Sequence, residues 1–174
     1  LVKFYFFIMK IIDNFLPTQE FNHLSGIILS DYFPWYWNDN KTIKGDGYYQ
    51  FTHTIFGGYA EGINSKFYAD FNSILYRLNA HRLGRVKLNL NHKTTFRRNF
   101  GWHTDGMVNK NFELSFPKTA IFYFNTNNGF TKIKGCGKIK CIANRMVIFD
   151  TNLLHTGFSC TDQKRRVIMN CNFS

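Results

Sequence analysis

Acidic residues are scarce in this chain: 11 Asp and Glu stand against 22 Lys and Arg, for a formal net charge of +11. That balance disfavours basic partners and favours phosphates or carboxylates. Proline is nearly absent, with three in 174 residues, and no long polar tract occurs, which excludes a chain too polar to fold. The four cysteines, Cys136, Cys141, Cys160 and Cys171, form no C-x-x-C and no finger-like Cys/His spacing. A disulfide framework and a structural zinc site are therefore not expected, and free thiols in a reducing cytoplasm are. Long uncharged apolar runs are also missing. The opening LVKFYFFIMKIIDNF is broken by Lys3, Lys10 and Asp13 and lacks a small-residue cleavage site, so neither a membrane span nor a signal peptide is expected. A reading MKIIDNFLP opens at Met9, and the first eight residues are assigned no function. No internal repeat or heptad occurs, which excludes solenoids and coiled coils.

Aromatic side chains are abundant. Twenty Phe, nine Tyr and three Trp in a chain 44% hydrophobic suit a β-rich interior, and the length fits one domain over residues 1–174. Two helices are expected before the strands, in a helical part over about residues 1–84. Pro17 opens the first, which runs to about Leu29. Ser65 caps the second, where Phe67, Phe71, Ile74, Leu75 and Leu78 form an amphipathic stripe. From Arg85 the period changes to two: RVKLNLNH sets Val86, Leu88 and Leu90 on one face and Lys87, Asn89 and Asn91 on the other. Short runs follow at FGWHTD, AIFYFN, GFTKI, KIKCIA, RMVIFD, LLHTGF and RVIMNCNF. Seven or eight such strands over about residues 85–174 describe a β-sandwich or small barrel. Arg77, Arg82, Arg85, Lys87, Lys93, Arg97 and Arg98 form a run without an acidic residue, which fits either a phosphate-binding surface or a solvated basic face.

Within FGWHTD, His103 and Asp105 stand two apart. On a strand they project from the same face. His155 follows fifty residues after Asp105. Two imidazoles and a carboxylate form the facial triad that holds non-haem Fe(II) with three positions open. Eleven residues beyond His155, Arg166 opens the strand RVIMNCNF, and a guanidinium directed into a barrel calls for a carboxylate or phosphate.

In these residues the sequence resembles the 2-oxoglutarate- and Fe(II)-dependent dioxygenases, in which His-x-Asp, a later His and an Arg about ten residues on recur. The resemblance covers about residues 85–174. AIFYFN and, outside that span, NFLP at Asn14 to Pro17 resemble the prolyl-4-hydroxylase-like branch. It implies a mainly β fold, a double-stranded β-helix (a jelly-roll, cupin-like barrel) buttressed by two N-terminal α-helices. It further implies Fe(II) on His103, Asp105 and His155, and Arg166 on the distal carboxylate of 2-oxoglutarate, with Tyr123 bonding the same group. Arg165 alternates to the other face, and a one-residue slip in register would exchange it with Arg166. Asn89 or Asn91 is placed to touch the co-substrate. With O2 as second co-substrate, the implied reaction hydroxylates a protein side chain or small molecule and releases succinate and CO2. Nucleic-acid demethylation through the basic segment 77–98 is the alternative substrate reading, and a non-catalytic cupin-like barrel the alternative class. Trp102 and Phe149 are candidates for a dry wall, the loop from Gly106 to Lys118 for a lid, and the aromatics of YFPWYW and KGDGYY for substrate stacking or packing.

Overall fold

The computed structural model describes residues 9–42, 45, 47–58, 61–106 and 116–174. Strand β1 (Met9–Ile12) leads into helix α1 (Thr18–Ile28). Strands β2 (Tyr36–Asn38) and β3 (Gln50–Phe56) come next, then a 3-10 turn (Tyr68–Phe71), helix α2 (Asn72–Leu78) and strand β4 (Leu83–His92). The remaining strands are β5 (Lys118–Tyr123), β6 (Asn127–Ile133), β7 (Gly137–Cys141), β8 (Arg145–Asp150), β9 (His155–Phe158) and β10 (Arg165–Phe173).

Seven strands form one antiparallel sheet in the order β1-β8-β5-β10-β4-β3-β2, and three form a second in the order β7-β6-β9. Residues 99–103 lie along the free edge of β9 through bridges Asn99 to Phe158 and His103 to His155. Apolar side chains from both sheets meet between them: Ile121, Tyr123, Val147, Phe149 and Ile168 from the large sheet, Ile133, Ile139 and Cys141 from the small one. Two facing antiparallel sheets of this kind make a jelly-roll barrel. No helix among the described residues is long and apolar enough to cross a membrane.

Alternation in β10 and β4 decides which side is which. Val167, Met169, Cys171 and Phe173 of β10, with Val86 and Leu88 of β4, turn outward. They pack with Leu24 and Ile28 of α1 and Ile74, Leu75 and Leu78 of α2 in one buried cluster. The intervening residues Arg166, Ile168, Asn170 and Asn172 face the small sheet, as do Arg85, Lys87, Asn89 and Asn91. The polar face read from RVKLNLNH is therefore the barrel interior, and not a solvated surface.

The helical expectation for residues 1–84 needs correction, because β1, β2 and β3 also lie there and extend the large sheet at both edges. The first helix begins after Pro17, whose carbonyl accepts the Phe21 N–H at 2.9 Å. The second is shorter than its stripe: Tyr68 to Phe71 take the tighter 3-10 turn, and α2 starts only at Asn72. Ser65 does not cap it. Its Oγ accepts the Phe67 N–H at 3.1 Å and lies 2.7 Å from His53 Nε2. FGWHTD is likewise no continuous strand, since only its bridges to β9 are formed.

Two polar contacts hold the N-terminal segment in place. Asn144, at positive φ in the turn before β8, accepts the Leu16 N–H at 2.9 Å and donates to the Leu16 carbonyl at 2.8 Å. Asn144→Ala leaves both Leu16 groups buried and unpaired in a left-handed turn that alanine disfavours. A loss of about 2–4 kcal/mol is expected in urea unfolding. His53 donates from Nδ1 to the Pro34 carbonyl at 2.7 Å and accepts from Ser65 at Nε2. Burial pushes its pKa below 6.5, against the opposing effect of the Pro34 bond. A depressed folded-state pKa means that the unfolded chain takes up the proton first, so the contribution of His53 is complete above about 6.5 and lost as pH falls through the folded value. His92 and His155 shift in the same direction. His53→Gln should therefore flatten, without abolishing, the decline in unfolding free energy measured between pH 7.5 and 5.

Candidate metal centre

The bridge to β9 brings the short motif to its distant partner. His103 N–H donates to the His155 carbonyl at 3.0 Å, and His155 N–H returns to the His103 carbonyl at 2.9 Å. The two rings end 4.4 Å apart between centroids. Asp105 N–H donates to the Thr151 carbonyl at 3.2 Å, which turns its carboxylate toward both rings. One ligand atom from each of His103, Asp105 and His155 lies within 4.8 Å of the others. Their spacing is that of three donors around one ion.

The hydrogen bonds fix which atoms are free. His155 Nδ1 lies 3.0 Å from the Leu153 carbonyl, which can only accept, so the proton is on Nδ1 and the Nε2 lone pair is exposed to the site. Nε2 has no hydrogen-bond partner among the described residues although it is buried, and it stands 3.6 Å from Asp105 Oδ2. His103 repeats the pattern, with Nδ1 3.2 Å from the Gly101 carbonyl. An orphaned imidazole nitrogen beside a carboxylate fits a divalent metal. Burial pushes the His155 imidazole below 6.5; Asp105 opposes that fall and His103 adds to it, and the ring is a neutral donor. Burial would raise the Asp105 carboxyl, but His155, the Asn170 bond, His103 and Arg85 together outweigh it and hold the group below the usual carboxylate range. Asn170 donates to Asp105 Oδ2 at 3.0 Å and Thr119 at 3.4 Å. Phe149 lies edge-on to the His155 ring at 4.9 Å and closes that side to water.

The cluster opens onto a cavity of about 710 Å³ between the two sheets. Arg166 lines it and is 1% exposed. Its Nη2 donates to Thr131 Oγ1 at 3.1 Å, its Nε has no partner, and no Asp or Glu among the described residues pairs with it. Arg165 does not reach the cavity: it projects from the opposite face and donates to the Leu29 carbonyl at the end of α1. Asn89 and Asn91 both line the cavity with unpaired buried Oδ1 atoms. Tyr123 stands one residue back from it. Burial pushes its phenol up to about 12, and the hydroxyl donates to Thr131 at 2.7 Å, beneath the Arg166 guanidinium 5.7 Å from its ring.

Thr131, Asn170, Arg85 and Lys87 are functional candidates that the motif reading missed. Asn170 follows Arg166 by four residues, and Lys87 and Arg85 precede Asn89 by two and four, so strand parity places all three inward. The basic run is correspondingly not one surface. Arg77 lies 3.8 Å from Glu20, Arg85 and Lys87 line the cavity, and Arg97 donates to the Asn128 carbonyl at 3.2 Å. This division removes the support for a nucleic-acid face. Trp102 is half exposed with Lys132 6.0 Å from its ring, and forms no wall. Trp37 stacks on Tyr49 and Tyr49 on His92, away from the cavity lining. Most of the expected lid, residues 107–115, lies outside the described residues.

Titrating the metal-free protein with Co(II) should give one equivalent of bound ion with visible absorption of a site bearing two nitrogen donors. His155→Ala and Asp105→Ala should each abolish that spectrum. Asn170→Ala, which removes only a hydrogen bond to a ligand, should weaken binding by about 10- to 100-fold.

No family model matches the sequence, and no curated protein matches it. Solved structures do. A prolyl-4-hydroxylase from Pseudomonas putida superposes with a TM-score of 0.66 at 12% identity, over 95% of this chain and 91% of that one. A 2OG-Fe(II) oxygenase family oxidoreductase from Burkholderia pseudomallei gives 0.66 at 9%, over 95% and 84%. A prolyl hydroxylase from Trichoplax adhaerens, solved with a peptide of the hypoxia inducible factor oxygen degradation domain, gives 0.64 at 13%, over 95% and 83%. The chain has the fold of the 2-oxoglutarate/Fe(II) oxygenases, prolyl hydroxylases among them, as the resemblance in its motifs implied.

Proposed function

We propose that this protein is a 2-oxoglutarate- and Fe(II)-dependent dioxygenase that hydroxylates a small molecule or protein side chain and releases succinate and CO2. One observation carries the reading: two imidazoles and a carboxylate converge in the same cavity as a buried guanidinium that has no anionic partner among the described residues. Either half alone has ordinary structural explanations. Together they match an iron and a dicarboxylic acid.

His103, Asp105 and His155 would hold the Fe(II), and Arg166, with Thr131, the distal carboxylate of 2-oxoglutarate. Arg166 and Asn170 are four residues apart on β10, about 13 Å at the strand rise, and both line the cavity. When bound, Fe(II), 2-oxoglutarate and O2 supply the oxidising power for attack on an unactivated C–H bond. The chain's own residues prepare the place. The Leu153 carbonyl holds the His155 tautomer, Asn170 aims Asp105 and joins His155 in keeping it ionised, and Phe149 keeps water from the ring. Tyr123, protonated at every physiological pH, fixes the Thr131 hydroxyl on which Arg166 rests. Four unpaired thiols agree with a reducing cytoplasm.

Admitting O2 to protein loaded anaerobically with Fe(II) and 2-oxoglutarate should yield succinate. His155→Ala should abolish it. Arg166→Ala should raise the KM for 2-oxoglutarate by roughly thirtyfold or more, the loss of a charge pair of about 2–5 kcal/mol, with Arg166→Lys in between. Wild-type protein that neither binds 2-oxoglutarate nor forms succinate would leave a non-catalytic barrel.

A further inference from the structure

The cavity is more cationic than one diacid explains. Arg85 and Lys87 project into it from β4, beside β10. In the sheet register Lys87 stands opposite Asn170, the residue that holds Asp105, and Arg85 opposite Asn172, one step further from Arg166. They therefore flank the metal centre on the side away from Arg166. Arg85 Nε is buried without a partner, and among the described residues no carboxylate forms an ion pair with either side chain. Asp105 is the one carboxylate among the described residues lining the cavity.

The charges can be counted. Leaving aside Lys41, which also lines the cavity and lies over the Phe100 ring, a divalent ion on Asp105 and two neutral imidazoles keeps one positive charge, and Arg85, Lys87 and Arg166 add three. A dianionic co-substrate cancels two. Two positive charges remain in a partly desolvated space, and unpaired cations there are unfavourable. The wall near β4 and β2 is polar, with the amides of Asn38, Asn40 and Gln50 beside Lys41 and Thr42, which suits a hydrogen-bonding ligand and not an apolar one.

The geometry points to a subsite, formed by Arg85 and Lys87, for an anionic group of the primary substrate: a small acid carrying a carboxylate or a phosphate, held so that its carbon skeleton lies over the metal. This rests on the dioxygenase reading for the role of the metal, but not for the anion site itself. Arg85 supplies a forked pair of donors and Lys87 a point charge, the combination that binds an oxyanion from two sides.

The test is calorimetric titration of inorganic phosphate, and separately of phenylacetate, into the full chain holding Zn(II) and 2-oxoglutarate, with both also titrated into the metal-free protein. Wild type should bind at least one of the two anions. Arg85→Gln and Lys87→Met should each weaken that binding on the order of tenfold, the worth of one charge-assisted contact, while 2-oxoglutarate still binds. Lys87→Arg, which keeps the charge, should largely restore it. Stronger binding of phenylacetate identifies a carboxylic acid as the substrate, and stronger binding of phosphate a phosphate ester. If 2-oxoglutarate binds but neither anion does, or the variants bind the anion as wild type does, the subsite is refuted and the dioxygenase reading stands. If zinc and 2-oxoglutarate fail to bind yet anion affinity still depends on Arg85 and Lys87, the subsite stands and the dioxygenase reading falls.

Discussion

A guanidinium taken out of water without a counter-ion is the constraint on which the inner face of this barrel is arranged. Arg166 is bonded to the Thr131 hydroxyl and the Cys141 sulfur, with an aromatic ring beneath it, which is less than its five N–H donors require. The neighbouring backbone is shaped to admit it. A Cβ on Gly129 would stand 2.9 Å from Arg166 Cδ, so only glycine fits beside the stem. Thr131 is held by the Tyr123 hydroxyl so that its oxygen faces the guanidinium. The guanidinium is thus held in place by the chain itself, and its Nε is left without a partner among the described residues.

Much of this was legible in the sequence because it depends on parity. His-x-Asp on an extended segment, a later histidine and an arginine at the start of an alternating strand each project in a direction that counting gives. Arg165 and Arg166 follow the same rule, and in the nine-residue ladder with β4 it is Arg166 that faces the cavity. Parity does not distinguish a polar face in water from one around a cavity, however. Lys87, Asn89 and Asn91 form the same pattern in either setting, and only the small sheet opposite makes theirs an interior. For that reason Arg85 and Lys87 read as part of a basic surface run, although Arg77 lies on α2 and Arg97 beyond the end of β4.

Other features were hidden for local reasons. Strand β2 has three residues and β1 four, too short for alternation to register, and both are edge strands, β1 on a partner, β8, far along the chain. In β3 the outward sequence of His53 and Ile55 includes a histidine, which breaks an apolar reading until Pro34 and Ser65 are seen to satisfy both ring nitrogens. The helical stripe from Phe67 was real as a buried face but not as a continuous helix. Phe71 is buried from a 3-10 turn, where the three-residue period serves as well.

Strand β10 binds stability and chemistry into one element. Its outward residues Val167, Met169, Cys171 and Phe173 are among those that anchor both helices, and its inward residues Arg166 and Asn170 line the cavity, Asn170 bonded to Asp105. A shift of one residue would place the arginine against α1 and an apolar side chain over the metal, losing the core and the site together. Pairing with β4 on one side and β5 on the other, and the Asn125 side chain that accepts the Val167 N–H and donates to the Arg165 carbonyl, all oppose that slip. The same contacts that make the fold unique therefore fix the position of Arg166 relative to Asp105.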